Sequence, residues 1–274
     1  MRPTGAVVGV AALDLATMTG QWSARQGVLE SAMGKVTDDC MEAHGFRAPA
    51  SSHHLENWDE EQDVDLERRR TRGYDLDPAR SRPPGAEPRS ALDGYVEALS
   101  AKKQLEYSNV LLGGDGPRLT VRLPGGRVID TPLQGCVAEG RQKIFGSIQN
   151  WASVQYVPES INASVDARVM SSGPYGRALE TWRGCMKAKG VQATSPVELA
   201  GSVEDDYSHR VPGTAVREIR LAVADGECSL ISHLGRAAIV ARRQLLQTSL
   251  DTQQRTLLNQ ATRLWLDAAD TSRS

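Results

Sequence analysis

Aromatic side chains are scarce in this sequence: they supply 5% of its 274 residues, and only two are Phe. Sheets favour β-branched and aromatic residues, so an apolar content built mostly on Ala, Leu and Val suits helix packing better than a β-sandwich. An excess of charge of either sign is also missing. Lys and Arg number 32 against 34 Asp and Glu, a formal net charge of −2, which argues against nucleic acid or an anionic membrane surface as a main partner. Signatures of catalysis and cofactor binding are absent as well. There is no Gly-x-Ser-x-Gly elbow, no His-Glu-x-x-His helix and no dinucleotide fingerprint. Gly113-Gly114-Asp115-Gly116-Pro117 lacks the Lys-Ser/Thr of a phosphate loop and reads as a turn. His53 and His54 have no cysteine or patterned carboxylate at ligand spacing, so they read as solvated loop residues and not as a metal site. Asp38-Asp39 and Asp205-Asp206 read as surface or helix-cap pairs. No catalytic residue, cofactor or metal is assigned.

What the chain does have is helical periodicity. Arg2 precedes the apolar run Ala6 to Leu13, which is interrupted by Asp14 and resumes through Met18. The run falls short of the roughly 20 apolar residues that span a bilayer. With one positive residue ahead of it and small residues behind, residues 1–26 have the outline of an export signal, with N-terminal membrane association a corollary; the alternative is an ordinary amphipathic N-terminal helix or a misplaced start codon. From 27 to 274 the pattern predicts a single, mainly α domain: a helical bundle with one small β-hairpin. Val28, Leu29, Ala32, Met33, Val36 and Cys40 mark one helix face, stopped by Gly45. Residues 46–90 hold five prolines, Asp59-Glu60-Glu61 and Arg68-Arg69-Arg70 without apolar periodicity, and are expected to be a flexible insert.

Ser100 is placed as the N-cap of a helix over 101–112, with Leu105 and Val110-Leu111-Leu112 facing inward. Leu119–Leu123 and Arg127–Thr131 flank Pro-Gly-Gly and predict the hairpin. A helix over 148–170 uses Trp151, Val154, Ile161, Val165 and Val169, with Pro158 expected to kink or divide it. Residues 194–213 read as polar turns, and a short helix runs from Thr214 to Ala224. From Cys228 to Ala269, apolar residues recur at Ile231, Leu234, Ala238, Ala241, Leu245, Leu257, Ala261, Leu264 and Ala268, and Gly235 and the polar span Thr248–Gln254 are where this stretch is expected to divide into two helices. Asn162-Ala163-Ser164 matches a glycosylation triplet, a poor target inside a helix.

Four cysteines complete the picture. Cys40 and Cys185 each precede Met near a glycine-terminated helix end, while Cys136 and Cys228 are placed near helix starts. Spacing leaves three connectivities open. Helix direction favours Cys40–Cys136 and Cys185–Cys228, because a helix end meets a later helix start when the intervening chain folds back. Cys40 with His44 four residues on is the one cysteine–histidine pair considered for nucleophilic chemistry; a structural role is the preferred reading.

These motifs occur in an order that resembles a family of actinobacterial exported proteins and lipoproteins. The resemblance covers roughly Val36 to Ala268. It rests on Cys40-Met41 before Gly45, Gly94 to Ser100 leading through Tyr107 to Leu111-Leu112-Gly113, Gly135 to Glu139, Trp182-x-x-Cys185-Met186 before Gly190, and Ala222 to Asp225 before Cys228. It implies export and paired cysteines, and brings no established activity. The expectation is a protein secreted or held on the outer face of the cytoplasmic membrane. It would bind an envelope protein or a small ligand there. The alternative is a hydrolase or accessory biosynthetic enzyme whose site gathers distant residues, such as His209 or His233 with carboxylates.

Overall fold

The computed structural model describes residues 7–49, 64–80 and 90–273. Among them the chain is mainly α, with twelve α-helices, one two-stranded hairpin and two disulfides. Where the pattern suggested one domain over 27–274, the chain forms two compact units and passes between them four times. The first is Met1–Asn57, Glu87–Val165 and Leu246–Ser274; the second is Trp58–Ala86 and Asp166–Leu245. His53, His54, Asp59-Glu60-Glu61 and Pro83, Pro84 and Pro88 lie outside the described residues, as does Arg2.

The first unit begins with α1 (Val10–Thr17) and α2 (Trp22–Ala43). The apolar run read as a signal is here part of the core: Ala12, Leu13, Leu15 and Ala16 are buried, and α1 packs on α12 (Thr252–Thr271). Asp14, the residue out of place in an apolar run, is buried with them. Its Oδ2 accepts the Gln21 N–H at 3.2 Å, at the start of α2, where the positive end of a helix favours a carboxylate. α4 (Ala91–Ala98) and α5 (Ala101–Leu112) follow. Ser100 caps α5 as expected, its hydroxyl accepting Lys103 N–H, and Gly113 ends the helix at φ +86°. The buried residue of α5 is Tyr107, and the predicted Val110 and Leu111 pack half-buried against the same cluster, whereas Leu105 is 65% exposed and Leu112 is 50% exposed. Tyr107 meets Phe46 edge-on at 5.3 Å between ring centroids, so the first residue of the expected insert is core.

Strands β1 (Arg118–Arg122) and β2 (Val128–Pro132) pair antiparallel, with Val121 opposite Ile129. α6 (Cys136–Phe145) then packs along α2. A Cβ at Gly140 would lie 2.9 Å from Met33 O, so the two backbones cross at close range there. α7 (Ile148–Met170) continues past Pro158, and its five predicted inward residues are all buried. Asn162 donates its amide to Ala16 O, which takes it out of reach as a glycosylation acceptor. In α12 the predicted Ala261 and Ala268 are buried, while Leu258 and Trp265 are the large core residues in place of the predicted Leu257 and Leu264.

In the second unit α3 (Leu66–Arg72) comes from the expected insert and packs on α10 (Thr214–Ser232). Residues 64–80, the longest described part of that insert, are therefore folded. α8 (Gly173–Ala188), α9 (Pro196–Ser208) and α11 (Leu234–Ser249) complete the unit. α9 replaces the predicted polar turns. Its Ser195 cap accepts Glu198 N–H, Pro196 opens it, and Leu199 and Val203 form a buried stripe that the acidic run Glu204-Asp205-Asp206 hides from a polarity count. α10 is longer than predicted, and Ile231 on it is 62% exposed, not core.

Both disulfides form as the sequence favoured: Cys40–Cys136 with a Cα separation of 5.5 Å and Cys185–Cys228 at 5.6 Å. One bridge closes each unit. Cys136 does open α6, but Cys228 lies in the penultimate turn of α10 and not at a helix start. The second bridge therefore ties two C-terminal helix turns together. Loop closures of 43 and 96 residues correspond to about 4 to 5 kcal/mol in the chain-entropy account. Replacing Cys185 and Cys228 together by Ser should lower unfolding stability by about 4 kcal/mol while leaving Cys40–Cys136 intact. Urea denaturation followed by peptide mapping checks this, and an unchanged midpoint would contradict the role given to the bridge.

Candidate functional site

In the first unit the C-terminal end of α2, the C-terminal end of α5 and the start of α6 surround an open cavity of about 420 Å³ beside the Cys40–Cys136 bridge. The chain crossing that forms its wall depends on two glycines. Gly113 stands at φ +86° and Gly135 at φ +95°, and a Cβ on Gly135 would lie 2.4 Å from Gly113 N. A Cβ on Gly113 would lie 2.3 Å from Gln134 O. Only residues without a side chain allow both the dihedrals and the approach. The Gly-Gly-Asp-Gly-Pro segment is thus a turn, and its first glycine is also half of a backbone contact.

The cavity is lined with polar groups: Asn109 from α5, Gln134 from the loop, and Glu139 and Gln142 from α6, with His44 at the cap of α2. Cys40 and His44 are four residues apart and so share one face of α2. The two sulfurs and an imidazole nitrogen all lie within 4.8 Å of one another. Thr37 Oγ1 also reaches Cys136 O at 3.5 Å. Cys40 and Cys136 are joined as a disulfide, and no cysteine among the described residues is free. The nucleophile and the metal ligand are both the thiolate, so in this state the cluster offers neither. Of the residues singled out in the sequence, Cys40, Cys136 and His44 come together here. Cys185 and Cys228 sit in the second unit against its apolar core.

The histidines named for an enzyme do not join this site. His209 ends α9, exposed, with Nδ1 2.8 Å from Asp205 O. His233 ends α10 in a left-handed conformation, also exposed. Neither lines this cavity or the one of about 320 Å³ bounded by Leu199, Arg217 and Leu221. Asp206 pairs with Arg217.

A second polar cluster, which the sequence reading missed, is buried in the second unit. Glu218 is 0% exposed and Asp225 2% exposed on α10. Seven residues apart, they share one helix face. Asp225 accepts Trp182 Nε1–H at 2.9 Å, Arg69 Nη1–H at 2.6 Å and, more distantly, Tyr74 O–H at 3.3 Å. Glu218 accepts Leu76 N–H at 3.0 Å and Tyr207 O–H at 2.6 Å. Arg69 also donates to Ala222 O at 3.0 Å. Gly73, at φ +64°, passes so close that a Cβ there would lie 2.6 Å from Glu218 Cγ. Every carboxylate oxygen of the pair has a donor, so the cluster works as a clamp that fixes residues 69–76 on α10, not as a poised acid or base. Burial, then the nearby Asp225 charge, pushes the Tyr74 hydroxyl well above the usual tyrosine range. The signal was present in the sequence: Glu218, Leu221, Ala222, Asp225 and Cys228 follow helical spacing, placing two carboxylates within an apolar stripe.

Comparison with known proteins returns no matching family model, curated protein or solved structure. No helix among the described residues is long and apolar enough to cross a membrane.

Two outcomes follow from the clamp. Asp225→Ala leaves Arg69, Trp182 and Tyr74 without their acceptor and should cost about 3–5 kcal/mol, with Asp225→Asn costing less; equilibrium denaturation measures both. An Asp225→Ala loss below about 1 kcal/mol would rule the clamp out as a main support. The second outcome concerns alkaline pH. Above the ordinary tyrosine value of 10.0 the unfolded chain loses the Tyr74 proton while the folded chain keeps it. Stability should therefore be unaffected by Tyr74 below about pH 10 and fall as pH rises beyond it. Tyr74→Phe should make that decline shallower, which denaturation at several alkaline pH values would show.

Proposed function

We propose that this chain is an extracytoplasmic, non-catalytic helical protein that binds a small polar ligand in the open cavity of its first unit. The observation that carries the reading is the pairing of all four cysteines, one bridge in each unit, since structural disulfides persist in oxidising compartments. The resemblance to actinobacterial exported proteins and lipoproteins supports the same location, either secreted or on the outer face of the cytoplasmic membrane. On this reading α1 stays with the folded chain, because Leu13, Leu15 and Ala16 belong to the core of the first unit. The cavity supports ligand binding through its mixture of Asn109, Gln134 and Gln142 amides, the Glu139 carboxylate and a small apolar surface from Val110 and Leu133, the composition that orients a polar ligand by a few hydrogen bonds.

Protein-observed NMR with a library of small polar fragments tests the assignment on the oxidised protein. Shifts should concentrate on Asn109, Gln134, Glu139 and Gln142, and Asn109→Ala combined with Gln142→Ala should weaken binding about tenfold or more. Hits confined to other surfaces, or none at all, would overturn this use of the cavity.

A further inference from the structure

The two disulfides differ in their surroundings, and the difference has a chemical consequence. Cys136 is the first residue of α6 and is 1% exposed, whereas its partner Cys40 sits near the end of α2, half-buried, on the open cavity. A helix N-terminus stabilises a thiolate and a helix C-terminus does not. Of the two sulfurs, Cys136 is therefore the better leaving group and Cys40 the reachable one. Exposed His44 stands within 4.8 Å of both. The second bridge shares only the burial difference, with Cys228 buried and Cys185 half-buried; neither of its sulfurs opens a helix, since Cys185 and Cys228 both lie toward the C-terminal ends of their helices. Among the described residues, no histidine or carboxylate joins that bridge in a comparable cluster.

We propose that the Cys40–Cys136 bridge is a thiol-exchange site and that low-molecular-weight thiols are the ligand class of this cavity. His44 takes the proton of the entering thiol. The resulting thiolate attacks Cys40 Sγ and forms a mixed disulfide there. The Cys40–Cys136 bond breaks, and its electron pair stays on Cys136 Sγ as a thiolate held at the start of α6. A second thiolate then attacks the external sulfur of the mixed disulfide, releasing an external disulfide and leaving Cys40 as a thiolate. In sum, two external thiols are oxidised and one protein disulfide is reduced. Attack at Cys40 and departure from Cys136 follow the rule that a leaving thiol of lower pKa leaves faster.

The proposal rests on the cavity being open to ligands, but its test reads covalent chemistry and not reversible shifts, so the two can fail separately. The folded, oxidised protein is treated with reduced glutathione, quenched at intervals by alkylation and mapped by mass spectrometry. Cys40–Cys136 should open at least about tenfold faster than Cys185–Cys228, with glutathione found on Cys40. His44→Ala, a change at an exposed position, should slow opening about tenfold or more, and added imidazole should restore part of the rate. A lost structural contact would not respond to imidazole. Equal or reversed opening of the two bridges, glutathione on Cys136, or an unchanged rate in His44→Ala would each overturn the proposal.

Discussion

One covalent closure per unit is the constraint on which the rest of the molecule depends. The chain has few aromatic residues and places several of them in its cores, Trp182 and Trp265 fully buried among smaller aliphatic side chains. Fixing Cys40 to Cys136 sets the end of α2 against the start of α6. The near approach of those two helices at Gly140, the Phe46–Tyr107 contact and the crossing of Gly113 with Gly135 all lie in that unit. Cys185–Cys228 does the equivalent for α8 and α10. Beside it runs the other fixed feature, the row of buried carboxylates on α10. A buried charge is tolerated only when its hydrogen bonds are met, and here the donors come largely from residues 69–76. The requirement to satisfy Glu218 and Asp225 thus orders a segment whose own sequence gives it little reason to fold.

That division explains what could be read from the residues alone. Ser100 and Gly113 bracket α5 because capping is local chemistry, and the hairpin follows from Pro-Gly-Gly between alternating strands. The buried face of α7 is likewise visible in Trp151, Val154, Ile161, Val165 and Val169. The cysteine pairing was also legible, although its second half rested on a helix start that the structure does not have: Cys228 lies well inside α10. α9 was missed because its buried stripe is brief and its other face is acidic. Trp265 was missed because Leu257, Ala261, Leu264 and Ala268 form an equally regular stripe, of which only the two alanines are buried. The fold of residues 64–80 could not be seen locally, since the partners of Arg69 and Tyr74 lie about 150 residues away on α10.

The cavity belongs to the same class of non-local feature. Its polar lining from Asn109, Gln134, Glu139 and Gln142 sits on two helices and a loop, and its shape comes from two backbone segments passing at a distance that only glycine allows. Cys40 and His44 could be paired from their spacing. Their placement against Cys136, which is 96 residues from Cys40, could be proposed only through the disulfide itself. The bridge therefore has two roles in this account: it closes the first unit, and it places a sulfur pair and an imidazole at an opening where small molecules can reach them.

The redox state of the four sulfurs in the organism that makes the protein is the decisive measurement. Cells are lysed into an alkylating agent that blocks free thiols at once, and the chain is captured and mapped by mass spectrometry without reduction. The predicted result is Cys185 joined to Cys228 in essentially every molecule, and Cys40 either joined to Cys136 or carrying a small thiol. A folded chain with all four cysteines alkylated would contradict both the structural role of the bridges and the oxidising location inferred from them.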